Sequence, residues 1–550
     1  MKISIAQINY HIGNFEKNKG LIISAIEKAR SERSDMIIFS ELCIPGYPPL
    51  DLLDRKDFID KCNNTVDDIA SHCRGITAIV GSPTINPDQA GKKLFNSALV
   101  LSEGKIIFEA HKALLPTYDI FDEYRYFEPS RSFPVFSFMG KKIALTICED
   151  LWDEQQFDNE FEKRRLYTIS PMEELMKHNP ELFINISASP FSHSRIKTKP
   201  DIFRKKALMH GIPVIQVNQT GANTELIFEG ASMIINNKGE IWKRLPYFEE
   251  AMMTFDLQDI TEGKKPEGDI ERNHVELIHD ALVTGIRDYF TKSGLKSCIL
   301  GLSGGIDSAL CLVLAVEALG NKNARAVLMP SRYSSDHSVK DAVMLAETLG
   351  VRYDIVSIEK PFTAFEEILS PLFEGMKTDV TEENIQARIR AVILMAVSNK
   401  YGCILLNTSN KSEASVGYGT LYGDMAGGLS VIGDVYKTEI YKLAHFINRE
   451  REIIPRNTIN KLPSAELKPG QLDTDSLPEY AILDNILFQY IELQKPSERI
   501  TGEGIDKPLV DRVIRMINHN EYKRYQAPPV LRVSSKSFGD GRRMPLVARY

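Results

Sequence analysis

Residues 297–319 read SCILGLSGGIDSALCLVLAVEAL, an apolar run that stops at Ser303-Gly304-Gly305 and resumes with a different period. Ile299, Leu300 and Leu302 suit a buried parallel strand, whereas Ala309, Leu312, Val313, Val316 and Leu319 recur at helical spacing. The stretch is therefore expected to form a strand, a tight turn and a helix. At the start of such a helix the first amides lack intrahelical partners and the dipole is positive, so an anion is favoured there. Two glycines let the backbone approach it closely, and phosphate is the expected guest.

A Walker loop would place a lysine directly after the glycines. Here Asp307-Ser308 follow instead. A carboxylate beside phosphate-binding amides repels the ligand unless it holds a magnesium ion that bridges the phosphates. A plain glycine turn between strand and helix is the structural alternative, but the context fits at all six positions of SGGIDS. This motif resembles the SGGxDS pyrophosphate loop of the ATP-pyrophosphatase family, whose members cleave ATP between the α and β phosphates. The resemblance implies adenylation of a substrate with release of pyrophosphate.

Working outward, 550 residues exceed what one core serves and suggest two domains. With 43% hydrophobic and 26% charged residues the composition is that of a globular protein, and a net charge of −7 gives no general attraction for nucleic acid. Seven scattered cysteines fit a reducing compartment better than a disulfide framework. No apolar stretch is long enough to cross a bilayer and the start, MKISIAQINYHIG, does not read as a signal peptide. These features point to the cytoplasm.

In the N-terminal half, residues 2–8 alternate as a strand, 14–30 carry a helical pattern, and a second strand, 36–39, ends at Ser40-Glu41. A hairpin over 96–109 leads to His111-Lys112, and a strand over 142–147 delivers Cys148-Glu149-Asp150. A thiol, a carboxylate and an ammonium at strand ends can do nucleophilic amide chemistry. Taken singly, a cysteine is usually a core residue and Glu or Lys a surface one. Their order and surroundings, SELCIPGYP, HKALLPTY and ICEDLW, resemble the Glu-Lys-Cys triad of the nitrilase (carbon-nitrogen hydrolase) superfamily, from the first strand to about residue 257. That resemblance implies an α-β-β-α sandwich with Cys148 as nucleophile, Glu41 as general base and Lys112 as oxyanion partner. It adds Glu123 as a further acidic position, and Tyr118, Ser189 and Arg195 as contacts of a glutamine substrate.

Residues 258–274, QDITEGKKPEGDIERNH, are polar with Gly and Pro and lack an apolar period, so they are expected to link domains 1–257 and 275–550. Beyond them strand and helix alternate, which indicates an open, doubly wound parallel sheet with ligands beyond the strand C-termini. In 382–400 Ile385, Ile389, Val392, Met395 and Ala396 are expected on one face, with Asn384 and Arg388 on another. A strand over 403–406 leads into NTSNKSE, where Glu413 is a candidate second magnesium ligand beside Asp307. The glycine-rich stretch 417–434 is expected to be flexible when empty.

ENIQARIR, NTSNKSE, YGDMAGGLSVIGDVYKTEIY and EYKRYQAPP together resemble one subgroup, the glutamine-dependent NAD synthetases, with a nitrilase-type glutaminase fused before an adenine nucleotide α-hydrolase-like synthetase domain. The resemblance covers essentially the whole chain. It implies that Gly301, Leu302, Ser303, Gly304, Gly305, Ile306, Asp307, Ser308 and Thr408 contact ATP. By the same resemblance Asn384, Glu413 and Lys523 contact deamido-NAD, Lys437 approaches phosphate, and magnesium sits with Asp307 and Glu413. Ammonia would be protonated in neutral water, so the fusion implies a sheltered passage between sites. Family analogy also implies a homo-oligomer. Two other readings stay open: an amidating enzyme acting on a different acid, and a nucleotide-binding regulatory protein with relic catalytic groups.

Overall fold

The computed structural model describes residues 1–153, 156–159, 162–262, 272–501 and 504–549. The chain divides into two compact units, Met1–Glu271 and Arg272–Tyr550. In the first, the elements run β1 (Lys2–Gln7), α1 (Phe15–Ser31), β2 (Met36–Ile38), α2 (Lys56–Ser71), β3 (Thr77–Ile85), β4 (Leu94–Ser102), β5 (Lys105–His111), β6 (Val135–Phe138) and β7 (Lys141–Ile147). Then come β8 (Gln156–Asn159), β9 (Glu162–Arg165), α3 (Pro171–Met176), β10 (Leu182–Ser187), α4 (Thr198–His210) and β11 (Val214–Asn218). The unit closes with β12 (Thr220–Asn223), β13 (Leu226–Glu229), β14 (Met233–Ile235), β15 (Ile241–Arg244), β16 (Ala251–Asp256) and α5 (Leu257–Thr261).

Two six-stranded sheets, β16-β1-β2-β3-β4-β5 and β15-β14-β11-β10-β7-β6, form the unit's frame. Their facing side chains, among them Ile5, Ile38 and Val100 from one sheet and Leu145, Ile184 and Ile215 from the other, make one core. The outer face of the first sheet is covered by α1 and α2 through Ile22, Ile26, Val66 and Ile69. The second is covered by α3 and α4 through Met172, Leu175, Phe203 and Ala207. Alternation along each strand thus gives two buried faces, and the layers are α-β-β-α.

The first residues of the stretch read as a linker belong to this unit. Asp256 caps α5 by accepting from the Gln258 amide, and Leu257 and Ile260 are buried. Residues 263–271 of that stretch lie outside the described residues.

The second unit runs α6 (His274–Lys292), β17 (Cys298–Gly301), α7 (Ile306–Leu319), β18 (Ala324–Leu328), α8 (Asp336–Leu349), β19 (Arg352–Ile355) and α9 (Glu359–Leu369). It continues with α10 (Val380–Tyr401), β20 (Ile404–Asn407), α11 (Lys411–Val416), β21 (Leu429–Ser430) and α12 (Lys437–Ile447), followed by short helices. The sheet order is β19-β18-β17-β20-β21, with every pairing parallel. The chain reverses its progress across the sheet between β17 and β20, which is where ligands collect in doubly wound folds. Helices α6, α7 and α12 pack together, while α9 and α10 join the strands in a separate core with Ile299, Val327 and Leu405.

The face read for 382–400 needs correction. Ile389 is buried, but Val392 is 69% and Met395 40% exposed. The inward face instead carries Gln386, Ala387, Ile389, Ala391, Leu394 and Ser398. Small alanines let the helix approach closely, and Gln386 is tolerated inside because its amide donates to Leu467 O at 2.9 Å.

Candidate active sites

In the first unit, Glu41 follows β2, Lys112 follows β5 and Cys148 follows β7, so three strand ends bring the groups together. Glu41 can reach the interior because β3 passes directly beneath it at Gly81, where a Cβ would lie 2.2 Å from Leu42 N and 2.7 Å from Glu41 C. Lys112 Nζ donates to Glu41 Oε1 at 2.7 Å and to Glu123 Oε1 at 2.9 Å. The Glu41 oxygens also accept from Asn96 Nδ2 at 2.8 Å and from the Ala188 amide at 2.9 Å. Glu123 accepts from Tyr47 OH at 2.9 Å. Cys148 is buried and adopts φ of 42°, a left-handed conformation that non-glycine residues rarely take. Asp150 secures the same turn by accepting from the Ala113, Leu114 and Ile147 amides.

Burial penalises the lysine's charge, yet the carboxylates of Glu123 and Glu41 hold Lys112 well above the ordinary lysine range. Burial, with the Glu41 charge adding to it, pushes Glu123 up to about 7 against the pull of Lys112. Burial and Glu41 likewise push the Cys148 thiol well up, and Lys112 only partly opposes them. This environment disfavours a resting thiolate.

Of the three residues expected at a glutamine substrate, Tyr118 and Arg195 meet, the guanidinium lying 5.9 Å from the ring centroid. Arg195 and Ser189 line one cavity with Trp152, Phe191 and Lys199. The Ser189 amide is fixed by Asn218 Oδ1 at 2.9 Å. Sequence reasoning passed over Glu149. Its buried carboxylate accepts from Tyr118 OH at 2.8 Å and Tyr167 OH at 2.9 Å, and burial raises its pKa. Its position directly after Cys148 was the available signal.

In the second unit, the 301–308 stretch is a strand, a turn and the start of α7. The Leu302 amide still donates to Val327 O at 3.0 Å, and the turn then closes on Ser303 and Ser308, whose hydroxyls lie 3.1 Å apart. Gly304 takes φ of 82°, and a Cβ there would lie 2.2 Å from Ser338 O. Gly305 is the N-cap of α7 and no side chain caps the helix, so its first amides and dipole suit an anion.

Asp307 and Glu413 come together around Lys437. Its Nζ lies 2.5 Å from Asp307 Oδ2 and 3.6 Å from Glu413 Oε1, and Asn410 Nδ2 donates to Asp307 Oδ1 at 2.9 Å. Burial pushes Glu413 up to about 8, with Asp307 adding to it. Against burial, Asp307 and Glu413 hold the Lys437 ammonium above its usual range. Two carboxylates sharing one ammonium mark a place that attracts a cation. Among the described residues no cluster of three or more His, Cys, Asp or Glu side chains could hold a metal. Two carboxylates and no more fit magnesium, which takes one or two alongside phosphate oxygens and water.

Thr408 directly follows β20 and is partly buried. Asn384 and Lys523 meet the glycine-rich stretch rather than Glu413. Asn384 Oδ1 accepts from Thr420 Oγ1 at 2.7 Å, and Lys523 Nζ donates to Gly417 O and Gly419 O, both at 2.8 Å. Arg388 donates to Leu421 O at 3.2 Å. This stretch is more tightly held than its composition suggested, because Asn407 Nδ2 donates to Asp424 O and Ala426 O and β21 joins the sheet. Sequence reasoning also missed Glu466, which accepts from the Ser335 amide and from the Ser335 and Ser338 hydroxyls beside the 303–305 turn. It lies far along the chain in a segment without a periodic pattern.

Residues 2–265 match the carbon-nitrogen hydrolase family and residues 278–527 the NAD synthase family. The chain is 40% identical to the glutamine-dependent NAD(+) synthetase of Synechocystis sp., covering 100% of this chain and 99% of the relative. It is 38% identical to that of Thermotoga maritima, again over 100% and 99%. Among solved structures it is similar to the glutamine-dependent NAD+ synthetase from Acinetobacter baumannii in complex with adenosine diphosphate, with 36% identity, 99% and 98% coverage and a TM-score of 0.77. It shares the fold of the Cytophaga hutchinsonii protein at 21% identity, with 100% and 98% coverage and a TM-score of 0.84.

Proposed function

The chain belongs to the family of glutamine-dependent NAD(+) synthetases, and on that premise we propose how its residues carry out ATP- and glutamine-dependent amidation of deamido-NAD. In the first unit Cys148 Sγ attacks the glutamine side-chain carbonyl while Glu41 takes the thiol proton and passes it to the departing ammonia. Lys112 faces the developing oxyanion. Water then hydrolyses the thioester, returns the thiol and frees glutamate. Tyr118, Ser189 and Arg195 seat the amino acid; the shared cavity and the Arg195–Tyr118 contact support this.

In the second unit the deamido-NAD carboxylate attacks the α-phosphorus of ATP, pyrophosphate leaves, and ammonia displaces AMP from the adenylated acid. Residues 301–308 and Thr408 hold ATP, Lys437 approaches a phosphate, and Asn384, Glu413 and Lys523 hold the dinucleotide. Asp307 and Glu413 would hold magnesium. When bound, the ion supplies positive charge against the phosphate oxygens. Ammonia passes from the first site to the second. We assign 1–257 to the amidohydrolase domain and 275–550 to the synthetase domain; of the stretch 258–274 expected to link them, 258–261 are helical in α5 and His274 opens α6.

We propose a cytoplasmic location for the protein, a reading that the seven free, buried cysteines support. We also assign it a homo-oligomeric state. An exposed apolar series on and around α9 and α10, including Phe365, Ile368, Leu372, Met376, Val392 and Met395, supports that assignment.

The observation that carries the reading is that one chain holds both constellations, the thiol with its carboxylate and ammonium and the phosphate loop with its paired carboxylates. Incubation with ATP, magnesium, glutamine and deamido-NAD should yield NAD, AMP and glutamate together. AMP formed without NAD would favour a different acid, and loss of glutamine hydrolysis in the intact chain would favour the regulatory reading.

A further inference from the structure

Glutamine carries an α-ammonium as well as an α-carboxylate, and none of Tyr118, Ser189 and Arg195 offers that ammonium a negative charge. The cavity lined by Ser189 and Arg195 is otherwise cationic, because Lys199 and Arg244 also line it. One acidic residue stands among its walls, Glu229, the last residue of β13. Glu149, beside Tyr118, already accepts from two tyrosine hydroxyls.

The two oxygens of Glu229 are unequally used. The residue is buried, and Oε1 accepts from Lys199 Nζ at 2.6 Å, itself on a buried side chain. Oε2 is equally shut off from solvent but accepts no hydrogen bond among the described residues. A buried carboxylate oxygen without a donor is costly, and a buried ion pair offsets its desolvation only when the remaining lone pairs are satisfied. The walls around this oxygen are firmly held. Asn218 Oδ1 accepts from the Ser189 amide at 2.9 Å, while Asn218 Nδ2 donates to Ser189 O at 3.3 Å and to Gly230 O at 3.1 Å. The Phe191 amide donates to Ile227 O at 2.7 Å. The turn that carries Ser189 is thus tied to the strand that carries Glu229, and Lys199 ties the start of α4, just after Arg195, to the same carboxylate. Groups of both signs are therefore held in fixed relation around one cavity, as an amino acid requires. We propose that Glu229 takes the α-ammonium of glutamine through Oε2 while Lys199 holds Oε1, and so restricts the first site to amides that are also α-amino acids.

This inference rests on the glutaminase reading, which hydrolysis of L-glutamine by the unsubstituted chain tests by itself. Selectivity is then measured on the intact protein as the ratio of kcat/KM for L-glutamine to that for glutaramate, which is glutamine without its α-amino group. Where glutaramate turns over too slowly, its Ki against glutamine, divided by KM for glutamine, gives the ratio. The parent should prefer glutamine by about 100-fold or more, since a site built around a polar group of the substrate rejects the analogue lacking it. Glu229→Gln keeps an acceptor for Lys199 and should lower that preference about tenfold or more, the loss expected for one charge-assisted hydrogen bond. Glu229→Asp keeps the charge and should lower it less. Thermal unfolding, and NAD formation with ammonium chloride as nitrogen source, report whether each variant is folded. If Glu229 served only to pair Lys199, both substrates would suffer alike and the preference would stay unchanged, which would overturn the proposal. A parent without the preference would overturn it too. Should Glu229→Gln fail to fold, the Asp variant decides alone: an unchanged preference refutes the assignment.

Discussion

Gly304 offers a sharp test of how the phosphate loop is built. Its φ of 82° costs an alanine about 1–2 kcal/mol by itself. The larger difficulty is contact: the new Cβ would lie 2.2 Å from Ser338 O, 2.8 Å from Ser338 C and 2.9 Å from Ser338 Cα. These are backbone atoms at the start of α8, which Ser335 caps and Glu466 secures, so no side chain can rotate away. Relief to ordinary van der Waals distance requires the loop to move by roughly 1 Å, a misplacement that can cost about 10²-fold in rate. Gly304→Ala should therefore lower kcat/KM for ATP about 100-fold in the ammonium-driven reaction, destabilise the unit by about 1–3 kcal/mol through overpacking, and leave glutamine hydrolysis intact. Gly305→Ala is the control, since its φ is ordinary and its Cβ would meet only Ser303 Oγ, at 3.2 Å. If the two variants matched within about threefold, backbone packing against Ser338 could not be what shapes the loop.

Cys148→Ala should abolish glutamine-driven NAD formation yet spare the ammonium-driven reaction; loss of both would contradict the division of labour between the units. Lys112→Met leaves two buried carboxylates without their ammonium and should destabilise the first unit by about 3–5 kcal/mol in urea unfolding, along with loss of glutamine hydrolysis; a variant as stable as the parent would refute the charge arrangement. His279 bridges α6 and α7 by pairing with Asp280 and Glu317. Burial opposes its charge, but the two carboxylates raise it from 6.5 to about 9. Because the folded value is the higher one, its stabilisation, of the order of 3 kcal/mol, is fully present below pH 6.5 and is lost as pH rises through about 9. The stability gap between parent and His279→Gln should close over that range, and a constant gap would refute the pairing.

The parts of both sites that sequence reveals are those set by local pattern. An apolar run that stops at Glu41 or at Cys148 marks a strand end in any fold, and SGGIDS carries its own strand, turn and helix in consecutive residues. What escapes is whatever depends on distant segments meeting. Glu466 reaches Ser335 and Ser338, the latter packed against Gly304, from more than 120 residues away in the chain, and no periodicity announces it. The resemblance singles out Lys523, but not that its ammonium holds two carbonyls of the glycine-rich stretch more than 100 residues away in the chain. Periodicity also misjudged α10. An apolar residue at the right spacing need not face its own core, and Val392 and Met395 point outward while Gln386 turns in. Helical spacing shows which residues share a face, whereas the neighbours that face meets are fixed by tertiary packing.

On the proposed role of Cys148 as nucleophile, the charge around it decides when the thiol can act. With Glu41 and Glu123 ionised, Lys112 balances only one of them, and a thiolate would add a second unbalanced negative charge to a buried site. Burial, with Glu41 adding to it, raises Glu123 and so favours its neutral form more than that of an ordinary carboxyl, which relieves part of this, but burial and Glu41 still keep the thiol well above its usual range. A free thiolate waiting for substrate is thus disfavoured, unlike the preformed ion pairs of low-pKa cysteines. Deprotonation becomes favourable when it is coupled to attack, because the negative charge then leaves sulfur for the substrate oxygen. Lys112 has three N–H donors and serves two carboxylates, which leaves it able to turn a donor toward that oxygen. The ammonium does little to prepare the thiol and more to receive the charge it passes on, so removing Lys112 should harm the attack step more than it harms the resting protonation state of Cys148.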